Sequence, residues 1–151
     1  MLFRSKTIGD AVMAVFNFPV QHPDHAVRAV RAARALQADC RARFAAFARN
    51  HGIDEGLLGV GIGIDSGAMK FGEFGHSHRD LTAIGTVVNL AARLCADAKD
   101  GQILIDGKVQ AAIEDAAATE PAGELTLKGF HRPIRAFNVL RAEEQPAAAG
   151  T

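Results

Sequence analysis

Asn89 and Arg93 stand one helical turn apart in the segment Ile84-Gly85-Thr86-Val87-Val88-Asn89-Leu90-Ala91-Ala92-Arg93-Leu94. At about 100° per residue, Val87, Leu90, Ala91, Leu94 and Ala98 fall on one side of a helix, and the amide and the guanidinium fall together on the other. A helix seated by such a stripe presents a hydrogen-bonding amide and a fixed cation outward, a pair suited to an oxyanion or a phosphate. A plain solvated face has the same pattern, so the pair means a site only in the right company.

Three other places carry polar groups at the ends of apolar stretches: Lys6-Thr7-Ile8-Gly9-Asp10, Asp80-Leu81-Thr82 and Leu127-Lys128-Gly129. Singly, each has a modest explanation. Asp10 is a turn residue, Lys6 and Lys128 are solvated strand ends, and Thr82 is a strand threonine. His76 and His78 flank Ser77 in a polar stretch with no cysteine or further histidine nearby, which reads as a surface loop and not as a metal site.

Composition removes several function classes. The 151 residues suit one domain with a real core, and 17 Lys and Arg against 17 Asp and Glu leave no net field to draw in nucleic acid or anionic lipid. An anionic ligand must therefore be held by local placement. Cys40 and Cys95 lie on helix stripes without a CxxC partner, and read as buried thiols of a reducing, cytoplasmic compartment. The apolar run Ala11 to Phe16 is too short to span a membrane, and no signal peptide is expected. Arginines on the long first helix lack the interleaved aromatics of a nucleic-acid surface.

The elements that must position the polar groups follow from periodicity. Leu2 to Ile8 and Ala11 to Phe16 read as two strands about a Gly9-Asp10 hairpin turn. Pro23-Asp24 opens a helix to about Asn50, with Ala26, Val30, Ala33, Cys40, Phe44 and Phe47 on its expected buried face. Gly59 to Asp65 alternates glycine with branched apolar residues, a strand with one bare face on which a helix or another backbone can lie closely. Its GxGxG spacing is not the dinucleotide GxGxxG, and no helix follows it. Met69 to Phe74 reads as the hairpin partner of that strand and Arg79 to Ile84 as a third strand. Gln102 to Asp106 is a short strand and Lys108 to Asp115 a short helix. Glu124 to Leu127 and Ile134 to Leu140 close the chain as a pair, with Phe130 and Phe137 in the core. This order predicts an α+β fold with a mainly antiparallel sheet covered by helices.

Together these residues closely resemble the catalytic domain of the class III nucleotidyl cyclases. The resemblance is carried by KTIGDAVMAVF (6–16), GVGIGIDSGAMKFGEFG (59–75), LTAIGTVVNLAARL (81–94), QILID (102–106) and LTLKGF (125–130), in order over nearly the whole chain. It implies the ferredoxin-like cyclase fold for a domain over residues 1–142; the remainder, 143–151, is expected to be a flexible tail, since the Ala- and Gly-rich end from Gln145 to Thr151 reads as a frayed tail or the start of a linker. It also implies conversion of a nucleoside triphosphate to the 3′,5′-cyclic monophosphate and pyrophosphate at a head-to-tail homodimer interface, with two Mg²⁺ or Mn²⁺ ions. By position, Asp10 matches the second of the family's two metal-binding aspartates, and a hairpin tip exposes such a carboxylate to a hard cation. Asn89 matches the asparagine that orients the ribose, Arg93 the arginine that stabilises the transition-state phosphate, and Lys128 a lysine that holds the terminal phosphates. Lys6 matches the base-reading donor, and the Thr82 hydroxyl can accept from an adenine amino group. That pair suits ATP and resembles a bacterial-type subgroup of adenylyl cyclases; a guanylyl site is expected to carry an acidic residue in place of Lys6.

One departure is plain. The family's first metal-binding aspartate lies on a strand that precedes Met1, so the resemblance implies a domain cut at its N-terminus, with one carboxylate ligand where the family has two. Asp65 belongs to a different part of the pattern and is not read as that ligand. Two readings follow: an adenylyl cyclase whose complete form makes cyclic AMP, or a catalytically silent cyclase-like module that dimerises or binds nucleotide for regulation. Retention of Lys6, Asp10, Thr82, Asn89, Arg93 and Lys128 together favours the enzyme.

Overall fold

Gly9, at φ 61°, turns the chain at the tip of a hairpin formed by β1 (Arg4–Ile8) and β2 (Ala11–Val15), with Lys6 opposite Met13. Glycine takes that conformation at the least cost of any residue, so the turn predicted from Gly9-Asp10 has its physical cause in Gly9. The structure, a computed structural model, describes residues 4–74, 80–126 and 132–141.

Helix α1 (His25–His51) begins after Asp24, whose carboxylate accepts a 2.7 Å hydrogen bond from Arg28 Nε, and ends at Gly52, left-handed at φ 64°. The Gly52 amide donates to the Ala48 carbonyl, a glycine stop of the usual kind. Ala26, Ala29, Val30, Ala33, Gln37 and Ala48 are the buried residues of α1. Gln37 was not foreseen on that face. Its Nε2 donates to the Val60 and Gln102 carbonyls at 2.6 and 3.3 Å, serving backbone acceptors where two strands begin. Phe47, expected in the core, is 48% exposed and lies against the His51 ring, with centroids 4.2 Å apart. Cys40 and Cys95 are free and half-buried, less enclosed than expected.

Four strands form the main sheet in the order β3-β6-β8-β7, where β3 is Ile62–Ile64, β6 Ile103–Asp106, β7 Thr119–Leu125 and β8 Ile134–Val139. β3 runs parallel to β6, and the other two pairings are antiparallel. This corrects the expected hairpin between β3 and the strand after it. β4 (Lys70–Phe74) pairs instead with β5 (Asp80–Ile84) in a separate antiparallel hairpin. A parallel pair needs a crossover, and α2 (Thr86–Asp97) supplies it between β3 and β6. β7 starts earlier than its sequence suggested because Pro121 sits on an edge strand, where its missing N–H costs no ladder bond to a further neighbour, and a bulge at Gly123 resumes the register.

β6 is buried at all four residues, and its alternation divides the core. Ile103 and Ile105 pack with Ala26, Val30 and Ala33 of α1, with Val109 of α3 (Gly107–Ala112) and with Ile113 just beyond it. Leu104 faces the other way, into Leu90 and Leu94 of α2, Leu125 and Ala136. The fold is thus α+β, with helices on both faces of the main sheet.

Candidate functional site

The bare face of β3 is the seat of α2. A Cβ built on Gly63 would overlap the Ala91 carbonyl and the Cys95 backbone amide, and one on Gly61 would come within 2.8 Å of the Ala98 carbonyl. Helix and strand therefore lie backbone against backbone, as the alternating glycines predicted. The Cys95 thiol closes this contact by donating to the Gly61 carbonyl at 3.4 Å. Val87, Leu90 and Leu94 are buried beneath the helix, while Asn89 and Arg93 are exposed above it.

Arg93 is held locally. Its Nε lies 3.3 Å from Asp97 Oδ2, one turn further along α2, with half of the arginine side chain still open to solvent. Such a pair steadies the guanidinium at little energetic consequence and leaves donors facing outward. At the start of α2, the Gly85 carbonyl accepts from the amides of Val88 and Asn89 at 3.1 and 3.4 Å. β5 feeds directly through Gly85 into this first turn, which ties Thr82, opposite Gly72 in the β4–β5 hairpin, to the same structural unit as Asn89.

The other expected site residues lie elsewhere. Asp10 is exposed at the tip of the β1–β2 hairpin, and Lys6 stands on β1 of the same hairpin. The ring of Phe18, just after β2, meets that of Phe71 on β4 with centroids 4.6 Å apart, joining the two hairpins through their flanks. Lys6 and Thr82 are described at the backbone only. Lys128, His76, His78 and Phe130 lie outside the described residues. Among the described residues no group of three or more His, Cys, Asp or Glu gathers that could hold a metal ion. Asp10 is a lone exposed carboxylate able to offer one oxygen ligand, and the described residues of one chain do not complete a two-metal centre.

A second charged cluster was missed in the sequence. At the adjoining ends of β3 and β6, the carboxylates of Asp65 and Asp106 are 1% and 4% exposed, and Lys108 Nζ lies 3.5 and 3.6 Å from them. Burial, and then the neighbouring Asp106 charge, push the Asp65 carboxyl up to about 6, against the pull of the Ser66 amide and of Lys108. Asp106 also caps α3 by accepting from the Val109 amide at 2.9 Å. Asp106 and Lys108 are near neighbours in the chain, whereas Asp65 lies about forty residues earlier and is brought beside them by the parallel β3–β6 pairing.

Comparison with known proteins agrees with this architecture. Residues 2–140 match the family described as the adenylate and guanylate cyclase catalytic domain. Adenylate cyclase 1 of Rhizobium meliloti is 33% identical over 135 residues, covering 87% of this chain and 20% of the relative. An uncharacterised protein of Mycobacterium tuberculosis is 32% identical over 157 residues, covering 95% of this chain and 24% of its own length. The chain thus spans about a quarter or less of these relatives. Among solved structures, the adenylyl cyclase CyaB from P. aeruginosa superposes with a TM-score of 0.84 at 31% identity, over 95% of this chain and 74% of that one. The guanylyl cyclase Cya2 gives 0.81 at 25% identity, over 92% and 70%. The chain belongs to the class III adenylate and guanylate cyclase catalytic-domain family.

Proposed function

We propose that this domain converts ATP to 3′,5′-cyclic AMP and pyrophosphate in a site shared by two head-to-tail copies of the chain. The observation that carries the reading is the seating of α2 on the bare face of β3, with Asn89 and Arg93 left exposed one turn apart. The ribose 3′ oxygen attacks the α-phosphorus, its bond to the β-phosphate oxygen breaks, and the hydroxyl proton leaves to solvent. Asn89 orients the ribose, and Arg93 neutralises charge that grows on the α-phosphoryl oxygens. Lys128 holds the terminal phosphates of the departing pyrophosphate. Asp10 offers a carboxylate to Mg²⁺ or Mn²⁺, which when bound supplies Lewis-acid stabilisation of phosphate charge.

The choice of ATP over GTP rests on Lys6 and Thr82. Adenine offers N1 as an acceptor and an amino group as a donor, matched by an ammonium and a hydroxyl oxygen. The name of the Rhizobium meliloti relative supports the same choice. The acidic hairpin tip and the helix that carries Asn89 and Arg93 belong to different elements, and a dimer lets one copy present Asp10 to the other's α2. No helix of the described residues is long and apolar enough to cross a membrane. We place the domain, residues 1–142 with 143–151 as a tail, in the cytoplasm, where ATP is supplied.

The protein carrying this domain, incubated with ATP or GTP and Mn²⁺, is expected to release cyclic AMP and pyrophosphate in preference to cyclic GMP. Exchanging Lys6→Glu together with Thr82→Cys is expected to move the ratio of the two kcat/KM values toward GTP by about tenfold or more. An unchanged ratio contradicts the base-reading roles, and no cyclic product from either nucleotide contradicts the enzymatic reading.

A further inference from the structure

The loop that leaves β3 runs beneath the first turn of α2. A Cβ built on Gly67 would stand 3.5 Å from Val87 Cβ and 4.0 Å from Lys108 Nζ, so this loop is sandwiched between the helix and the lysine. A Cβ on Gly85 would meet the Ala68 carbonyl at 3.2 Å. The loop therefore lies directly against Gly85, whose carbonyl accepts from Val88 and Asn89.

The loop also carries polar and charged contacts. Lys108 Nζ donates to the Ser66 carbonyl at 3.1 Å while standing between the Asp65 and Asp106 carboxylates. The Lys108 side chain is itself 65% exposed, whereas the two carboxylates are almost wholly buried. The Asp65 carboxylate accepts from the Ser66 amide at 2.8 Å, and His25 of α1 meets the Ser66 hydroxyl through Nε2 at 3.3 Å. The described charged or titratable groups facing Asp65 are thus Asp106 from β6, Lys108 from α3 and, through Ser66, His25 from α1.

Two carboxylates taken out of water repel each other and favour any movement that rehydrates them. The nearest such movement is the loop lifting away from α2 with Asp65 on it. An ammonium shared by both carboxylates opposes it.

We propose that Lys108 is a positioning residue for the Asn89–Arg93 helix, acting through the buried Asp65–Asp106 pair to keep the β3–β4 loop closed under the first turn of α2. Protonating Asp65 removes the repulsion, so the closed loop depends on Lys108 only where Asp65 is charged. Because Asp65 holds its proton up to about pH 6, that dependence sets in above this value. The catalytic consequence rests on the function proposed above, whereas the structural one does not.

Hydrogen exchange tests the structural claim without any activity. Protection factors of the Val88 and Asn89 amides, corrected for intrinsic exchange, are to be followed near pH 5 and pH 8 in the wild type, Lys108→Met, Lys108→Arg and Lys108→Met/Asp65→Asn. Lys108→Met is expected to lower protection about tenfold near pH 8 and by less than about twofold near pH 5, with both Lys108→Arg and the added Asp65→Asn restoring it. Equal loss at both pH values overturns the proposal, because it marks simple packing by the lysine stem. No loss at either pH, or no rescue by Asp65→Asn, overturns it as well. If the exchange results hold and the protein nonetheless makes no cyclic nucleotide, the function reading fails and the positioning role of Lys108 stands.

Discussion

Gly63 of β3 lies so close beneath Cys95 of α2 that one added carbon would overlap the cysteine backbone. This contact fixes the height and direction of α2, and through them where Asn89 and Arg93 stand. Gly63→Ala is expected to destabilise the chain by about 1–3 kcal/mol, because neither backbone can yield without shifting the helix. Gly56→Ala is the control, since its added carbon meets only the Asp54 side chain at 3.4 Å; it is expected to change stability by about 0.5 kcal/mol or less. Urea unfolding of both variants measures the difference.

The two sides of α2 are expected to separate stability from chemistry. Leu94 is fully buried against Leu104 and Leu125, and Leu94→Ala is expected to cost about 2–5 kcal/mol. Arg93→Ala removes an exposed pair with Asp97 and is expected to cost less than about 1 kcal/mol. Thermal melts of the two variants, beside their rates of ATP turnover, show whether the outward face is dispensable for folding.

Asp65 makes stability depend on pH in a known direction. Its carboxyl titrates at about 6 in the folded chain against an ordinary value of 3.8, so the folded form binds the proton more tightly than the unfolded form. Its contribution to stability is complete below about pH 3.8 and is lost as the pH rises to about 6. Asp65→Asn lacks this titration. Relative to wild type it is expected to gain stability progressively across that window and to keep the gain above it. A difference that does not vary with pH contradicts a buried, titrating Asp65.

Much of this architecture was legible in the residues. The stripe Val87–Leu90–Leu94 and the alternating glycines of 59–63 are local patterns with one physical solution each, and both appear where expected. What failed was non-local. Periodicity shows that Ile62–Ile64 is a strand but not that its neighbour is β6 and not β4, because pairing depends on the crossover through α2. Phe47 obeys the helical stripe yet stays exposed beside His51, because spacing shows which side of α1 a residue occupies but not where buried contacts along it end. Asp65 reads as the end of one strand and Lys108 as the start of a short helix, and nothing local announces that they meet. Of the candidate site, the outward placement of Asn89 and Arg93 followed from spacing, whereas the roles given to Lys6, Asp10, Thr82 and Lys128 came from family resemblance alone.

A site built from two copies has a direct consequence for mixed dimers. Asp10→Ala and Arg93→Ala are each expected to abolish most turnover alone. Mixed in equal amounts they are expected to recover about a quarter of the wild-type rate, as random pairing makes half of the dimers mixed and each of these holds one intact site of two. Absence of recovery, with dimers present by sedimentation, contradicts a site shared across the interface.

The central claim is that the exposed face of α2 acts on a nucleoside triphosphate as its chemistry proceeds. Its most direct test is cyclic AMP production from ATP by the protein carrying this domain, with Asn89→Ala and Arg93→Ala compared with the wild type at matched ATP occupancy. Each substitution is expected to lower kcat by about 10²-fold or more while leaving ATP affinity within about threefold, as befits groups used mainly in the transition state. A rate that survives both substitutions would contradict the account.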